Sequence, residues 1–368
     1  MAKLINTLKQ IFNESLRGGI SITGNSCAVI GDFNHKVKEF IKPDGSYTTN
    51  WREMGSTAYL DILKNSTIKF AILEWHSTIS NYVTKTDLKE AYNPIVFTTP
   101  KGKFNISINS QSTNEAIYYD EVFTKQSVKW ENVTNLIKDS GEGYYTVEGI
   151  PTAPIVNDLN KLPNHEEAPG WSLIVVYENI NLPLRNLLLY IGIQNHQYSI
   201  KKSNRNIHIT GFKIPSIPKK SYLSVVASNG DPNMYAGLNI YDNISSLEYS
   251  NNSKYLVGDY NDASSDYGVN CILPYDNIFS GIIMNTNTES VYYGKIETRG
   301  TLGNFNNSVF DILNQKPFKG NRGKLDVLSF DISEKLSPLQ EQLILIVNTE
   351  KSPSASPQII AYGLQIDL

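Results

Sequence analysis

Cysteine is nearly absent from this chain: there are two in 368 residues, Cys27 and Cys271. Two thiols so far apart cannot form a disulfide framework, so they are either two small buried thiols or one bridge, within or between subunits. Charge is scarce as well, at 19% of residues against the usual quarter. A formal net charge of -3, a pI near 6.0 and the lack of any block of like charges leave no electrostatic footprint for DNA or RNA. No run of about 18 apolar residues exists, which excludes a helical membrane span. Residues 1–17 lack both an unbroken apolar segment and a small-residue cleavage site, so no classical signal peptide is expected.

The residues of catalysis are equally thin. The five histidines, His35, His76, His165, His196 and His208, share no metal-ligand spacing, and no cysteine pair supplies one. Gly170-Trp-Ser-Leu-Ile lacks the second glycine of a nucleophile elbow and runs into an apolar segment, which makes Ser172 a strand residue. Gly300-Thr-Leu-Gly303 and Gly320-Asn-Arg-Gly323 have neither the lysine nor the following helix of a phosphate loop. The expectation is a protein that is not an enzyme and needs no cofactor. One cluster has calcium chemistry: Asp259, Asn261, Asp262 and Asp266, with Ser264, place oxygen ligands close together on a Gly-bounded loop. It lacks the bidentate Glu and the helix of an EF-hand, and a solvated turn is the competing reading.

What the chain does have is β texture. Trp171 to Tyr177 is apolar, aromatic and β-branched but for one serine, the composition of a strand buried on both faces. Turn formers and Pro183 follow, then a second apolar run, Leu187 to Ile193, so the unit reads as a β-hairpin or β-arch. Trp171, Val175, Tyr177, Pro183, Arg185 and Asn186 are its signature positions. Arg185 and Asn186 interrupt the apolar pattern, and Arg185 is either held by a carboxylate or carbonyls at the strand mouth or is an exposed rim charge. Thirteen further short segments, including Thr67 to Trp75, Val291 to Glu297 and Ile359 to Ile366, read as strands between Gly, Pro, Asn and Asp clusters. In Thr67 to Trp75 the alternation puts Ile68, Phe70 and Ile72 on one face. Many short strands with polar turns imply an all-β, jelly-roll-like β-sandwich.

Two helices are expected. Leu4, Leu8, Ile11, Phe12 and Leu16 recur at helical spacing before Gly18-Gly19, which predicts a short amphipathic helical arm over residues 1–18. That stripe either covers the domain's own sheet or docks on a neighbouring subunit. Val133, Leu136 and Ile137 predict a single helical turn within Trp130 to Ser140. The remainder, 19–368, reads as one large β-sandwich domain. Its long polar excursion at 228–270 is rich in Asn, Ser, Asp and Tyr.

The string GWSLIVVYEN followed by LPLRNLLLYIG resembles the signature of a head domain in surface proteins of spore-forming Gram-positive bacteria, where it usually precedes tandem immunoglobulin-like repeats. The similarity continues through Gly19-Ile-Ser-Ile-Thr-Gly-Asn25, Trp130-Glu-Asn-Val-Thr-Asn-Leu-Ile137, Gly143-Tyr-Tyr-Thr-Val-Glu-Gly-Ile-Pro151 and Gly363-Leu-Gln-Ile-Asp-Leu368. It is loose between about 229 and 295, and the repeats are missing. The resemblance implies a structural subunit that self-assembles, alone or with other surface or spore-coat proteins, on a bacterial surface, spore coat, exosporium or spore appendage. It would be made in the cytoplasm and end on the spore or cell surface. Alternatives are a lectin-like adhesin binding glycan or host surface through the Tyr-rich excursion, and a crystal-forming or toxin-like protein.

Overall fold

The computed structural model describes residues 4–5, 7–30, 37–80, 90–108, 112–119, 124–152, 169–195, 207–217, 219–228, 237–241, 254–255, 283–295, 297, 299–301, 325–348 and 358–368. The first half supplies β1 (Leu4–Ile5), β2 (Leu8–Ser26), β3 (Ala28–Ile30), β4 (Val37–Ile41), β5 (Tyr47–Thr48), β6 (Gly55–Leu60) and β7 (Thr67–Ser80). It continues through β8 (Ile95–Thr99), β9 (Gly102–Ile106), β10 (Glu115–Tyr119), β11 (Thr124–Asn132), the helix α1 (Thr134–Ser140) and β12 (Gly143–Glu148). The second half supplies β13 (Gly170–Glu178), β14 (Leu184–Asn195), β15 (Ile207–Thr210), β16 (Ser221–Ser228), β17 (Gly237–Tyr241), β18 (Lys254–Tyr255), β19 (Leu325–Asp331), β20 (Gln342–Asn348) and β21 (Gln358–Asp367). The all-β expectation holds, and the helical turn at 134–140 is present.

Ten strands follow one another in the order β1-β10-β11-β7-β13-β2-β14-β21-β16-β19. The array turns on β2. Its residues 18–26 pair with β13 and its residues 8–17 pair with β14, so one long strand belongs to two sheets. Those sheets face each other across an apolar layer built from both, including Ile72, Ile174 and Val176 on one side and Leu187, Leu189, Ile360 and Val327 on the other. Strands that switch sheets make the corners of such packings. Outside the first sheet lies a four-stranded sheet, β6-β12-β8-β9, and β15-β20-β17-β18 forms another. The first closes a core over Trp75, Trp171, Phe97 and Tyr145; residues of β15 and β20 join β16, β19 and β21 in a second.

β13 sits between two layers, which explains its composition. Trp171, Leu173, Val175 and Tyr177 point to the core under β6 and β12, while Ile174 and Val176 point to the inner layer. At roughly 1.5–3 kcal/mol for each large apolar side chain buried, one strand contributes on both faces. The link from β13 to β14 is an arch, because β2 lies between them. Pro183 stands exposed in that arch and is no part of the core.

Residues 8–26 are strand and 4–5 a short strand, so the amphipathic helix expected over residues 1–18 is not formed. A β-bulge produced the helical spacing. Leu189 pairs with Phe12 and Tyr190 with Gln10, leaving Ile11 as the extra residue, so neighbours Ile11 and Phe12 both pack on the inner layer. Leu16 is buried in that layer, Leu8 packs against the core behind β14, and Phe12 stacks on Phe70 at 5.4 Å. Of the stripe, Leu16 is covered by its own chain and Leu8, Ile11 and Phe12 are half-covered by it. Gly18 is no helix stop either: a Cβ there would lie 2.0 Å from the Tyr177 carbonyl oxygen, so glycine permits the close crossing of β2 and β13.

Two smaller expectations are corrected. Ile68 joins Ala71, Leu73 and Trp75 on the outer face while Phe70 and Ile72 face inward, because a bulge opposite Val176 and Tyr177 inverts the alternation at Lys69. Val291 to Tyr293 form turns, not a strand. Within the excursion at 228–270, β17 pairs with β20 and β18 with β17.

Candidate functional site

The polar atoms of the β13 signature close on buried neighbours. Trp171 Nε1–H donates to Ser56 Oγ at 2.9 Å, and Ser56 Oγ lies 3.3 Å from Cys27 Sγ. Cys27 is a free buried thiol whose pKa is pushed up to about 12 by burial, so it is inert as a nucleophile. Ser172 Oγ donates to Glu74 Oε2 at 2.8 Å, and His76 Nδ1 lies 2.8 Å from Glu74 Oε1. Serine, histidine and carboxylate thus meet, in the wrong order for nucleophilic catalysis. The carboxylate stands between the other two, so Ser172 bonds the carboxylate and not the imidazole that a catalytic triad would place on it. All three are buried, and a Cβ on Gly170 would sit 2.8 Å from His76 Nε2.

A second polar cluster lies where the two large sheets part, between β2 and β19, and sequence reasoning missed it. Residues 283–295, with 297 and 299–301, form a strap across this seam. Ile283 bridges Val327 of β19, and Gly300 bridges Ala58 of β6. Thr286 Oγ1 accepts the Ile22 N–H at 2.6 Å and donates to the Ile22 carbonyl at 3.0 Å, while Gln365 Oε1 accepts the Ile20 N–H at 2.9 Å. Side chains therefore satisfy an edge that would otherwise be open to another strand. The sequence signal available was Asn285-Thr-Asn-Thr-Glu-Ser290, turn formers next to Ile283 and Met284.

Asp61, just after β6, anchors the strap. It accepts from Asn285 (2.7 Å), Ser290 (2.9 Å) and Asn287 (3.2 Å), with Arg299 at 3.4 Å. Burial alone would raise its pKa, but these donors outweigh burial and hold the carboxyl below its usual value. Asp331 is lowered in the same way, against burial, by Ser333 and Lys220. A carboxyl with a lowered folded pKa stabilises above its unfolded value, near 4, and loses that contribution as pH falls through the folded one. Thermal melts should therefore hold level from about pH 7 to 5 and drop below about pH 4, and Asp61→Asn should flatten that drop. An unchanged acid limb in the variant would remove Asp61 from the account.

Arg185 completes the site. It is buried at the start of β14, with Nε 2.6 Å from Asp367 Oδ1, Nη2 2.9 Å from Glu289 Oε1 of the strap, and Nη1 donating to the Gly18 carbonyl at 3.1 Å. Burial would lower its pKa, and the two carboxylates more than reverse this. Tyr177 O–H donates to Asn287 Oδ1 at 2.8 Å, and Asn186 Nδ2 to Asn13 Oδ1 at 3.0 Å. The signature residues Tyr177 and Arg185 thus converge on the strap. Trp171 and Val175 serve the outer core, and the arm residues Leu4, Leu8, Ile11, Phe12 and Leu16 belong to β1 and β2.

Among the described residues no group of three His, Cys, Asp or Glu side chains is placed to hold a metal. The calcium candidates Asp259, Asn261, Asp262 and Asp266 lie outside the described residues, as does Cys271. No helix of the described residues is long and apolar enough to cross a membrane.

No protein-family model and no curated protein matches the chain. Among solved structures it is similar to a PBCV-1 virus capsid, at 11% identity and a TM-score of 0.22, covering 100% of this chain and 96% of that one. A chain of the T13 IBDV viral particle is similar at 10% identity and a TM-score of 0.20, covering 98% and 70%. Overlaps this weak carry no argument about fold or function.

Proposed function

We propose that the chain is a non-enzymatic structural subunit with a jelly-roll-like arrangement of its sheets, which assembles with copies of itself on a bacterial cell or spore surface. The observation that carries this reading is that the signature's reactive groups are spent on architecture. Ser172, Glu74 and His76 are sealed in the inner layer, Cys27 is buried, and Arg185 and Asp61 clasp the strap. The resemblance to surface head domains points the same way. Electron microscopy and sedimentation of the purified chain at rising concentration test it, with ordered polymer or layer expected. A chain that stays monomeric over the whole range would refute the reading.

A glycan-binding role has one specific observation in its favour. The Arg299 guanidinium stacks 3.8 Å over Tyr59, whose ring meets the exposed Tyr144 edge-on at 5.0 Å, giving a rigid aromatic corner of the kind that packs against sugar C–H faces. Glycan-array binding by a stable monomer, lost in Tyr144→Ala, would move the reading there.

A further inference from the structure

Apolar side chains are exposed unevenly. Among the described residues five aliphatic side chains count as large exposed hydrophobics: Ile180 (82% exposed), Leu184, Ile217 (76%), Val291 (80%) and Leu339 (57%). All five lie at one end of the molecule, the end where Arg185 sits. Ile180 and Leu184 flank the β13–β14 arch, and the Leu368 N–H bonds the Leu184 carbonyl there. Ile217 precedes β16, whose Ser221 carbonyl accepts the Ile332 N–H just past β19. Leu339 follows on the same loop, tied to the Ile217 loop through the Ile214 N–H and the Gln340 carbonyl. Val291 tops the strap, between the Glu289–Arg185 pair and Tyr293, which packs edge-on against Tyr222 of β16.

We propose that this end is the face on which a second copy of the chain docks. The inference deepens the self-assembly reading and rests on it. Three arguments carry the choice of surface and occupant.

The first is strain. Leu339 is held at φ +61°, in the left-handed region that a branched side chain adopts at a cost, and it presents its side chain to water. The turn itself serves the chain's own fold, since it sets Gln340 to bond Ser337, Gln342 and Ile214, but glycine would make it at less cost. The leucine side chain adds only an exposed apolar tip, open to a contact outside the chain.

The second argument is charge. The aliphatic tips are interleaved with three exposed ion pairs of both signs, Lys69–Glu178 at 3.1 Å, Lys213–Glu341 at 2.7 Å and Lys220–Asp331 at 2.9 Å. A copy related by a two-fold axis brings the same pairs, so each acid can meet a base across the contact. An anionic lipid surface would instead select bases in excess.

The third is rigidity and breadth. The rim is fastened by the Arg185 ion pairs and by backbone bonds between its loops, so little order is lost on docking. Leu184 and the loop after β19 are three strand spacings apart, roughly 15 Å, which suits an interface of ordinary size.

The test compares the full chain with the triple variant Ile180→Ser, Ile217→Ser, Leu339→Gly by sedimentation velocity over a concentration series, with melting curves alongside. The parent should associate, and the variant should associate at least ~100-fold more weakly while melting no lower. Should the triple variant melt lower, Leu339→Gly alone decides, since glycine suits a left-handed backbone. It should weaken association and leave melting level or higher. Variants that assemble like the parent overturn this surface and leave the self-assembly reading standing. A parent that is monomeric throughout overturns that reading and this one with it. Binding of the parent to phosphatidylcholine vesicles, lost in the variant, would make lipid the occupant and overturn the second copy.

Discussion

Replacing Trp171 with alanine is expected to remove about 4–5 kcal/mol of stability, the upper part of the range for truncating a buried aromatic. Its side chain is wholly buried in the outer core and sits across from Trp75 on β7 and Asn25 on β2. The indole is gripped on several sides, so the cavity left behind cannot collapse without moving a strand of the central array. The substitution also strips Ser56 of its indole donor. Trp171→Phe keeps one aromatic ring and loses the hydrogen bond together with the rest of the indole, so it should cost about 2–3 kcal/mol, less than the alanine change. The measurement is the midpoint of urea unfolding for parent and variants, where a shift at constant slope reports stability. A Trp171→Ala protein with the parent's midpoint would mean that this strand is not where the stability lies.

The central strand was legible because both causes of its burial are local. A run of seven residues that is apolar or β-branched at every place but Ser172 does not alternate, so a strand made of it needs a layer on each side, and Trp171 to Tyr177 has both. The turn of helix at 134–140 was legible for a similar reason. Ile137 is buried, Leu136 packs against the same core, and Val133 precedes them at helical spacing. The N-terminal segment was misread because periodicity alone cannot tell a bulged strand from a helix. One extra residue at Ile11 turns a two-residue repeat into three and four, and the glycines that follow mark a close strand crossing.

The candidate site was legible only in outline. An arginine and an asparagine interrupting an apolar run can be seen to be either buried with partners or exposed at the rim, and nothing local decides between the two or names the partners. Asp367 is supplied by the last strand and Glu289 by a strap whose sequence reads as loop. The strap's work is done by Thr286, Asn285 and Asn287, residues that any turn contains. Only their register against Ile22 and Asp61 gives them a role, and register between distant segments is not written in local composition.

Replacing Arg185 with glutamine should cost about 3 kcal/mol. Removing one partner from a buried ion pair costs roughly 3–5 kcal/mol, because the charge left behind is unpaired. The lower end applies here, since Asp367 and Glu289 keep 14% and 24% of their side-chain surface and water can screen part of the loss. Glutamine retains two N–H donors, enough for one carboxylate, and leaves the other facing it. Arg185→Lys should fall between parent and glutamine variant, since an ammonium restores the charge but not the fork that reaches Asp367, Glu289 and the Gly18 carbonyl together. Urea unfolding of parent and both variants measures the cost. A deficit under about half a kcal/mol would mean that the strap is held by its bonds to Asp61 and Ile22 and that Arg185 is dispensable to the seam.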